Sequence, residues 1–500
     1  MEKYLLYING EFRESSDGKT FDAVNPANSE IIATVSEANI DDAKAAVKAA
    51  RDAFDSGIWS DMPREERSRI IKQIVDKINE NAKQLTKLEV MDSGSTIRKA
   101  GEDVFLSAKS LNYASKMASV NLDEDVEGLT KAGVSKNIVR REPVGVAALI
   151  TPWNFPLKMA IWKLGPALAA GCCVILKPAQ ETSLTACELA RIIDQTDMPK
   201  GVVNIITGKG SVIGTELVTN PDVDKVGFTG STEVGKVIMK NAAENLKKVT
   251  LECGGKSANI VLDDADIEMS VDGAVYAAFY HQGQCCEGGT RLLVQEKIYD
   301  EFIEKLKNKI SLMKTGDPMD KTSDNGPIIN KNQFDSIMEY IKIGKEEGAE
   351  ILSGGNQINK DSKGYYIEPT VFVNVNNKMR IAQEEIFGPV LVVIKFKDDE
   401  EAIKIANDSI FGLGGAVWSG NDERAINIAN KLRTGTVWIN EYHLLSDRAP
   451  FGGYKQSGIG REFGIDGIKE YTEAKHIHID EIKDREKKFW YNTVVPSAKA

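Results

Sequence analysis

The pattern of hydrophobic and polar positions changes several times along this 500-residue chain. Short alternating runs over roughly the first 25 residues predict strands, and from Asp41 an acidic first turn opens an amphipathic helical pattern. Helical periodicity continues from Pro63, near a helix start, to Gly94 at a stop. An acidic, glycine-containing stretch near residue 125 interrupts it, and we expect a strand there that leaves the first domain and returns.

Strand-like apolar runs then alternate with helical segments. The runs VGVAALI, CCVILK, VVNIITG and KVGFTG are separated by amphipathic stretches, of which SVIGTELVTN is one. Continuous apolar strands between helices are typical of a parallel sheet covered on both faces. A second stretch of this kind runs from about Lys256 to Asn440. The pattern therefore predicts an α/β protein, and the length suggests about three domains.

Composition narrows the function classes. With 63 basic and 74 acidic side chains the net charge is −11, which argues against a nucleic-acid partner. No apolar run approaches the ~20 residues that span a bilayer, so no membrane partner is expected. Six cysteines without zinc-like spacing and four histidines predict neither a disulfide framework nor a metal site. No signal peptide is evident, and we expect a cytoplasmic protein.

A strand-to-helix turn is the first candidate for binding chemistry. In VGFTGSTEVGK, Gly230 and Ser231 lie between an apolar run and a helical pattern. Free amides at a helix start, with the helix dipole behind them, suit a pyrophosphate. The alternative is that Gly230 only closes the turn and Ser231 only caps the helix.

A thiol pair and a carboxylate are the candidates for catalysis. Cys285 and Cys286 lie in a polar, glycine-rich segment, so one of them is a candidate nucleophile. Cys172 and Cys173 lie in an apolar run and are expected in the core. Glu252 interrupts a strand-like run before two glycines. It is either a general base with a pKa raised by partial burial or a salt-bridged surface residue.

Eight motifs, in order, resemble those of the aldehyde dehydrogenase superfamily. They are PWNFP (152–156), LKPA (176–179), FTGSTEVG (228–235), LECGGK (251–256), GQCC (283–286), EEIFGPV (384–390), GTVWIN (435–440) and PFGGYKQSG (450–458). The similarity covers residues 5 to 480. The chain is identified as a member, and it resembles the non-acylating, betaine- or retinal-type branch.

The resemblance implies an NAD(P)-dependent oxidation of an aldehyde to a carboxylic acid. Cys286 would add to the carbonyl, and Asn154 with the backbone N–H of Cys286 would stabilise the oxyanion. Glu252 would activate the water that hydrolyses the thioester. A coenzyme A-acylating dehydrogenase is the alternative within the fold, although such members generally lack the glutamate. A non-catalytic structural protein is the alternative of another class.

The resemblance also implies a site for NAD or NADP. In it, Lys177 would contact the adenosine ribose, and Phe387 would pack beside the nicotinamide. The implied cofactor residues are Ile150, Thr151, Pro152, Trp153, Lys177, Gln180, Gly210, Gly230, Ser231, Glu385 and Phe387. Gln180 replaces the family's usual glutamate, which removes a negative charge where a 2′-phosphate would lie and puts strict NAD preference in doubt. Cys253 replaces the usual leucine and is expected in the core.

By the same alignment, aromatic and apolar side chains line a substrate tunnel. Its implied residues are Phe155, Met159, Trp162, Tyr280, Cys285, Glu287, His443, Leu445 and Phe451. A carboxylate beside aromatic faces would attract a cationic aldehyde such as betaine aldehyde. The alternative is that Glu287 pairs with Arg291 or Arg448 and never meets the substrate.

The implied architecture has a Rossmann-like cofactor domain, an α/β catalytic domain and a small β protrusion that joins subunits into a homodimer or homotetramer. The cofactor domain is predicted at 1–122 and 142–253, with a return at 455–475. The catalytic domain is predicted at 254–454. The oligomerisation sheet and tail are predicted at 123–141 and 476–500.

Overall fold

The computed structural model describes residues 2–126, 135–358 and 363–495. Within them the chain forms two large, mainly parallel sheets and two three-stranded sheets, with helices packed against them. This confirms the predicted α/β class. In the described part of the chain, no helix is both long and apolar enough to cross a membrane.

The first large sheet contains the four apolar runs predicted as buried strands. Its strands, in spatial order, are Gly458–Ile459, Lys248–Glu252, Lys225–Thr229, Val146–Ile150, Cys173–Lys177, Val203–Ile205, Leu6–Ile8 and Glu11–Arg13. The five strands from the second to the sixth position in this order pair in parallel. Their carboxyl ends therefore meet at one edge, which is where α/β sheets bind ligands.

Among the described residues, eight α-helices belong to this half of the molecule. They are Ile40–Asp55, Arg64–Glu80, Ala82–Ser93, Ile97–Ala118, Pro156–Ala170, Leu184–Asp194, Thr215–Thr219 and Thr232–Ala242. Pro63 immediately precedes one of them and Gly94, at φ 72°, ends another, as the sequence predicts. The helix predicted at SVIGTELVTN is present, although its first part, Gly210–Gly214, is a wider π-type turn that leads into the short α-helix Thr215–Thr219.

The second large sheet lies in the later part of the chain. Its strands, in spatial order, are Glu350–Ser353, Thr370–Val373, Val390–Phe396, Arg291–Gln295, Ala258–Val261, Gly414–Trp418 and Thr436–Ile439. Only the first of these strands is antiparallel to its neighbour. Its helices are Ile267–Phe279, Tyr299–Ser311, Lys331–Glu346, Arg380–Gln383, Asp399–Asn407 and Asp422–Ala429. The chain crosses from the first sheet to the second through residues 253–257.

Two smaller sheets complete the described structure, with the short helix Gly464–Lys469. One contains Glu2–Tyr4, Ile31–Ser36 and Thr20–Val24. The other contains Glu124–Val126, Ser135–Pro143 and Thr472–Asp480, and the last two pair antiparallel along nine residues. The late strand thus begins at Thr472, before the expected segment 476–500. Residues 127–134 and 496–500 of the predicted oligomerisation segments lie outside the described residues.

Candidate active site

A cleft of about 280 Å³ lies between the two large sheets. Pro152–Asn154 and Thr229–Ser231 line it from the carboxyl edge of the first sheet, and Glu385–Phe387 line it from the other half. Cys286 also faces this cleft. Sequence reasoning missed other lining residues, namely Thr229, Cys253, Gly254, Gln333, Ser336, Tyr340 and Ile386. Of these, Thr229, Cys253, Gly254 and Ile386 fall within the motifs and could have been named from them.

The predicted anion site is the start of the helix Thr232–Ala242. Ser231 caps this helix, because its Oγ accepts a hydrogen bond of 3.3 Å from the Val234 amide. A Cβ atom at Gly230 would lie 2.5 Å from the ring of Phe228, so the turn requires glycine. Gly230 therefore closes the turn and Ser231 caps the helix, as the structural alternative predicts. Both residues also line the cleft, as the hypothesis of a pyrophosphate site requires.

The residues predicted to bind adenosine lie beside the next strand end, outside the lining of this cleft. Lys177 ends its strand, and its Nζ donates to the Pro178 carbonyl over 3.0 Å. Burial lowers the pKa of Lys177 to about 8. A Cβ at Gly210 would lie 4.0 Å from the Lys177 Nζ, which brings those two predicted residues together. Gln180 begins the turn Gln180–Thr182 and is partly exposed.

Ile150 and Thr151 lie at the carboxyl end of the strand Val146–Ile150, at the same edge. Ile150 is its last residue, and the Thr151 amide donates to the Lys177 carbonyl over 3.1 Å. Among the described residues, the buried Thr151 Oγ1 has no hydrogen-bond partner. A buried hydroxyl of this kind at a sheet edge is available to a ligand.

On the opposite wall, Glu385 and Phe387 are held by backbone and ring contacts. The Gly255 amide donates to Glu385 Oε1 over 2.9 Å, and burial raises the pKa of Glu385 to about 7. Phe387 has a left-handed φ of 55° and meets Trp153 edge to face, with ring centroids 5.2 Å apart. Both residues thus face the first sheet across the cleft.

The nucleophile candidate lies on a strained loop. Three consecutive residues before it have positive φ, namely His281, Gln282 and Gly283. Residues other than glycine are strained in this conformation, and strained residues cluster at functional sites. Cys286 is partly exposed, whereas the other five cysteines are buried, and all six lie in the described chain. The Asn154 side-chain amide donates to the Gln284 carbonyl over 2.9 Å, which anchors it at this loop.

The two thiols lie beside an acid–histidine pair. Cys286 Sγ donates to Glu287 Oε2 over 3.1 Å, and His443 Nδ1 lies 3.2 Å from Glu287 Oε1. Burial, followed by the Glu287 charge, raises the pKa of the Cys286 thiol well above its ordinary value. Burial also raises the pKa of Glu287, but hydrogen bonds from His443 and both thiols outweigh it and lower the value to about 2.

The partners expected for Glu287 are wrong. Arg291 is the first residue of a buried strand. Its guanidinium donates hydrogen bonds to backbone carbonyls and to the Asn377 side chain. Arg448 is exposed on a loop. The partner is His443, which is far from Glu287 in the sequence, so no local spacing could have indicated it.

Glu252 ends its strand and is 3% exposed. The alternative interpretation, that Glu252 is a salt-bridged surface residue, is therefore wrong. Both of its carboxylate oxygens are buried without a hydrogen-bond partner among the described residues. Burial and the nearby Glu462 carboxylate raise the pKa of Glu252 well above its ordinary value. Glu462 itself forms a buried ion pair with Lys163, and neither residue was identified from the sequence.

The predicted tunnel residues form one cluster around Cys286. Phe155, Met159, Trp162, Cys285 and Phe451 are buried there, with Tyr280 and Leu445 partly buried against them. Glu287 and His443 join the cluster through their contacts with the thiols. Leu413 and Phe463 belong to the same cluster and were missed.

Two lysines lie against the aromatic rings of this cluster. Lys158 Nζ lies 5.0 Å from the Phe155 ring centroid and 5.3 Å from that of Trp162, and Lys99 Nζ lies 3.9 Å from that of Phe155. Both ammonium groups face the buried Asp103, at 2.7 Å from Lys99 and 3.5 Å from Lys158. The spacing of four between Lys158 and Trp162 on one helix was the signal that could have indicated this contact.

Comparisons with known proteins agree with this geometry. A model of the aldehyde dehydrogenase family matches residues 12–477. An aldehyde dehydrogenase of Emericella nidulans is 45% identical over 478 residues, covering 95% of this chain and 94% of that protein. A betaine aldehyde dehydrogenase of Bacillus subtilis is 43% identical over 475 residues, covering 95% and 96%. The structure of a Staphylococcus aureus betaine aldehyde dehydrogenase in complex with NAD+ superposes with a TM-score of 0.94 at 42% identity, covering 96% and 95%.

Proposed function

The chain belongs to the aldehyde dehydrogenase family, and on that premise we propose that Cys286, Asn154 and Glu252 carry its catalysis. As a member of that family it is an enzyme that oxidises an aldehyde to the carboxylic acid with NAD or NADP. The observation that carries the assignment is the partly exposed Cys286 facing the cleft between the sheets. Cys253 also lines the cleft but is buried, whereas Cys286 is partly exposed on a loop anchored by Asn154.

The first step forms a bond between Cys286 Sγ and the aldehyde carbon. The thiol proton leaves to solvent, and the carbonyl oxygen becomes an oxyanion. Asn154 lies at this loop, so its side-chain amide can turn from the Gln284 carbonyl toward that oxygen. A side-chain amide that donates to an oxyanion contributes roughly 3–4 kcal/mol to transition-state stabilisation.

The last step is hydrolysis of the thioester by water. Glu252 is buried, accepts no hydrogen bond from the described residues and has a raised pKa, so its ionised form is a stronger base than an exposed carboxylate. It removes a proton from water, the hydroxyl adds to the thioester carbon, and the bond to Cys286 breaks. This assignment favours hydrolysis over transfer to coenzyme A.

The residues around the cleft fit a nicotinamide nucleotide. The helix start after Gly230 offers free amides and a positive dipole to a pyrophosphate, and Glu385 offers a carboxylate to ribose hydroxyls. A nicotinamide nucleotide bound there would supply the acceptor for the hydride that leaves the carbon attached to sulfur. Gln180 carries no charge, and Lys177 lies on the adjoining strand end. We therefore assign use of both NAD and NADP.

The test is a single-turnover experiment on Glu252→Gln. This variant should release one equivalent of NADH and then stall, because hydride transfer does not need the activated water. Mass spectrometry should find the acyl group on Cys286. Cys286→Ala should show no burst, whereas the matched Cys285→Ala should retain one. Full steady-state turnover by Glu252→Gln, or a burst that vanishes only in Cys285→Ala, would remove these roles.

For the substrate, we propose an uncharged aldehyde rather than a cationic one. The Phe155 and Trp162 faces that would receive a cation already carry the ammonium groups of Lys99 and Lys158. Glu287 is paired with His443 instead of facing the tunnel unpaired. The two relatives named above, an aldehyde dehydrogenase and a betaine aldehyde dehydrogenase, do not distinguish the two classes by identity.

Betaine aldehyde and 3,3-dimethylbutanal have the same shape and differ in charge, so they test this proposal directly. The neutral compound should have the higher kcat/KM. Lys158→Met removes an ammonium group from the rings, so it should bring the kcat/KM values of the two aldehydes closer together. The control Lys116→Met, at an exposed position on a nearby helix, should leave their ratio unchanged. A wild-type preference for betaine aldehyde would refute the assignment.

We also propose that the sheet containing Ser135–Pro143 and Thr472–Asp480 joins subunits into a dimer or tetramer. Light scattering on the full chain would give the mass of the assembly and so distinguish a monomer, a dimer and a tetramer.

We further propose a cytoplasmic location. The cysteines are free thiols, which suit a reducing compartment.

A further inference from the structure

Three different potential metal ligands converge beside the nucleophile. The Cys285 Sγ, a Glu287 carboxylate oxygen and a His443 ring nitrogen all lie within 4.8 Å of one another, and all three residues are buried. His443 Nδ1 lies 3.2 Å from Glu287 Oε1 and 4.0 Å from Cys285 Sγ. Cys285 and His443 are 158 positions apart, so no spacing in the sequence indicates the cluster.

These separations approach those of a tetrahedral zinc site. Bond lengths of about 2.3 Å to sulfur and about 2.0–2.1 Å to nitrogen or oxygen place tetrahedral ligands roughly 3.3–3.6 Å apart. The nitrogen–oxygen pair already has that separation within about 0.2 Å, and the sulfur–nitrogen pair needs a movement of about 0.4 Å. The third pair, Cys285 Sγ and the Glu287 carboxylate oxygen, lies within 4.8 Å.

The histidine is also oriented as a ligand would be. Its other nitrogen, Nε2, lies 3.2 Å from the Ala277 carbonyl, an outer contact that metal-binding histidines almost always make. The Tyr276, Tyr280 and Tyr442 rings surround the imidazole at centroid distances of 4.9–5.1 Å. The Nδ1 atom is therefore held toward Glu287 and Cys285.

We propose that Cys285, Glu287 and His443 bind one borderline-soft divalent cation of the Zn²⁺ type, and that the bound ion inhibits the enzyme. On binding, the Cys285 thiol and His443 Nδ1 each release a proton to solvent, and sulfur, nitrogen and oxygen each donate an electron pair to the metal. The second oxygen of Glu287 holds the Cys286 thiol, so the ion lies beside the nucleophile. The inhibition rests on the proposed function of Cys286, whereas metal binding does not.

Binding is measured first, with Co²⁺ and Zn²⁺ as the probes and no substrate. Co²⁺ titrated into the full-length protein should give a thiolate charge-transfer band that saturates at one equivalent per chain. Zn²⁺ should abolish the band. Cys285→Ser should remove it, and Glu287→Gln and His443→Asn should each weaken Co²⁺ binding at least tenfold. Cys286→Ser and Cys253→Ser should keep the band.

The wild type alone already exposes the proposal to refutation. Failure to bind Co²⁺ or Zn²⁺ at one equivalent would overturn it, as would a band that persists in Cys285→Ser or is lost only in Cys286→Ser. A ligand variant that misfolds does not rescue the proposal, because the other two ligand variants and the wild-type stoichiometry still decide it.

Inhibition is measured separately on the wild type. Zn²⁺ should inhibit competitively with the aldehyde and not with the nicotinamide nucleotide, and a chelator should restore the rate. One equivalent of bound Zn²⁺ with unchanged activity would refute the inhibitory part and leave the site. If Glu252→Gln gives no burst of NADH while the wild type still binds the metal, the catalytic assignment has failed and the metal site has not.

Discussion

Replacing Glu287 by glutamine should make the Cys286 thiol more reactive. In the structure a carboxylate oxygen lies 3.1 Å from Cys286 Sγ, and the charge opposes formation of the thiolate. Glutamine has nearly the same shape and still offers an oxygen to the thiol proton. The substitution therefore removes the charge and keeps the hydrogen bond.

The size of the effect follows from that distance. Two unit charges 3.1 Å apart repel by about 5 kcal/mol at an effective dielectric constant of about 20. The His443 ring next to Glu287 offsets part of this repulsion. If only a quarter of it remains, about 1.4 kcal/mol, the thiolate population at neutral pH rises about tenfold.

The assay is the rate of iodoacetamide alkylation at pH 7, followed by mass spectrometry in a Cys285→Ala background. We expect Glu287→Gln to raise the rate at Cys286 at least about tenfold. Glu441→Gln, which changes a carboxylate on the loop beside His443, is the matched control and should leave it within about twofold. An unchanged or slower rate in Glu287→Gln would show that the carboxylate does not govern the thiol.

Three further changes test other parts of the site. Gln180→Glu should shift the ratio of kcat/KM for NAD over NADP toward NAD by about tenfold or more, through repulsion of the 2′-phosphate; an unchanged ratio would mean that this residue does not contact the ribose. Glu462→Gln should move the pH profile of thioester hydrolysis to lower pH, since the Glu462 charge raises the pKa of Glu252, and its loss lets the basic form persist in more acid solution; a shift to higher pH would contradict this. Gly255→Ala should lower kcat about 100-fold or more with an unchanged circular dichroism spectrum, because a Cβ there would lie 2.4 Å from the Cys286 carbonyl oxygen; near-normal kcat would show that the loop yields freely.

Much of the fold could be predicted from the sequence because its signals are local. Runs such as CCVIL are apolar throughout, and a strand buried on both faces needs no polar side. The sequence motifs likewise named residues that the structure brings to one cleft, among them Trp153, Ser231 and Glu385. The spatial order of the strands is not a local property, so periodicity could not supply it.

The errors share a physical cause. Arg291, four positions after Glu287, was a plausible partner only if this segment formed a helix turn, and a strand begins at Arg291 instead. Glu252 could be a surface residue only if its strand were at an exposed edge, and Gly458–Ile459 pairs beside it. In both places the contacts that decide the outcome come from distant parts of the chain.

The position of the cleft between the two large sheets has a consequence for heat stability. Each half has its own hydrophobic core, and the cleft draws its walls from both. A nucleotide held there would link the two cores, and at a concentration 100 times its Kd it would add about 2.7 kcal/mol to the folded state. Calorimetry without nucleotide should then resolve two overlapping melting transitions, one for each core. Saturating NAD+ should merge them into a single sharper transition at higher temperature.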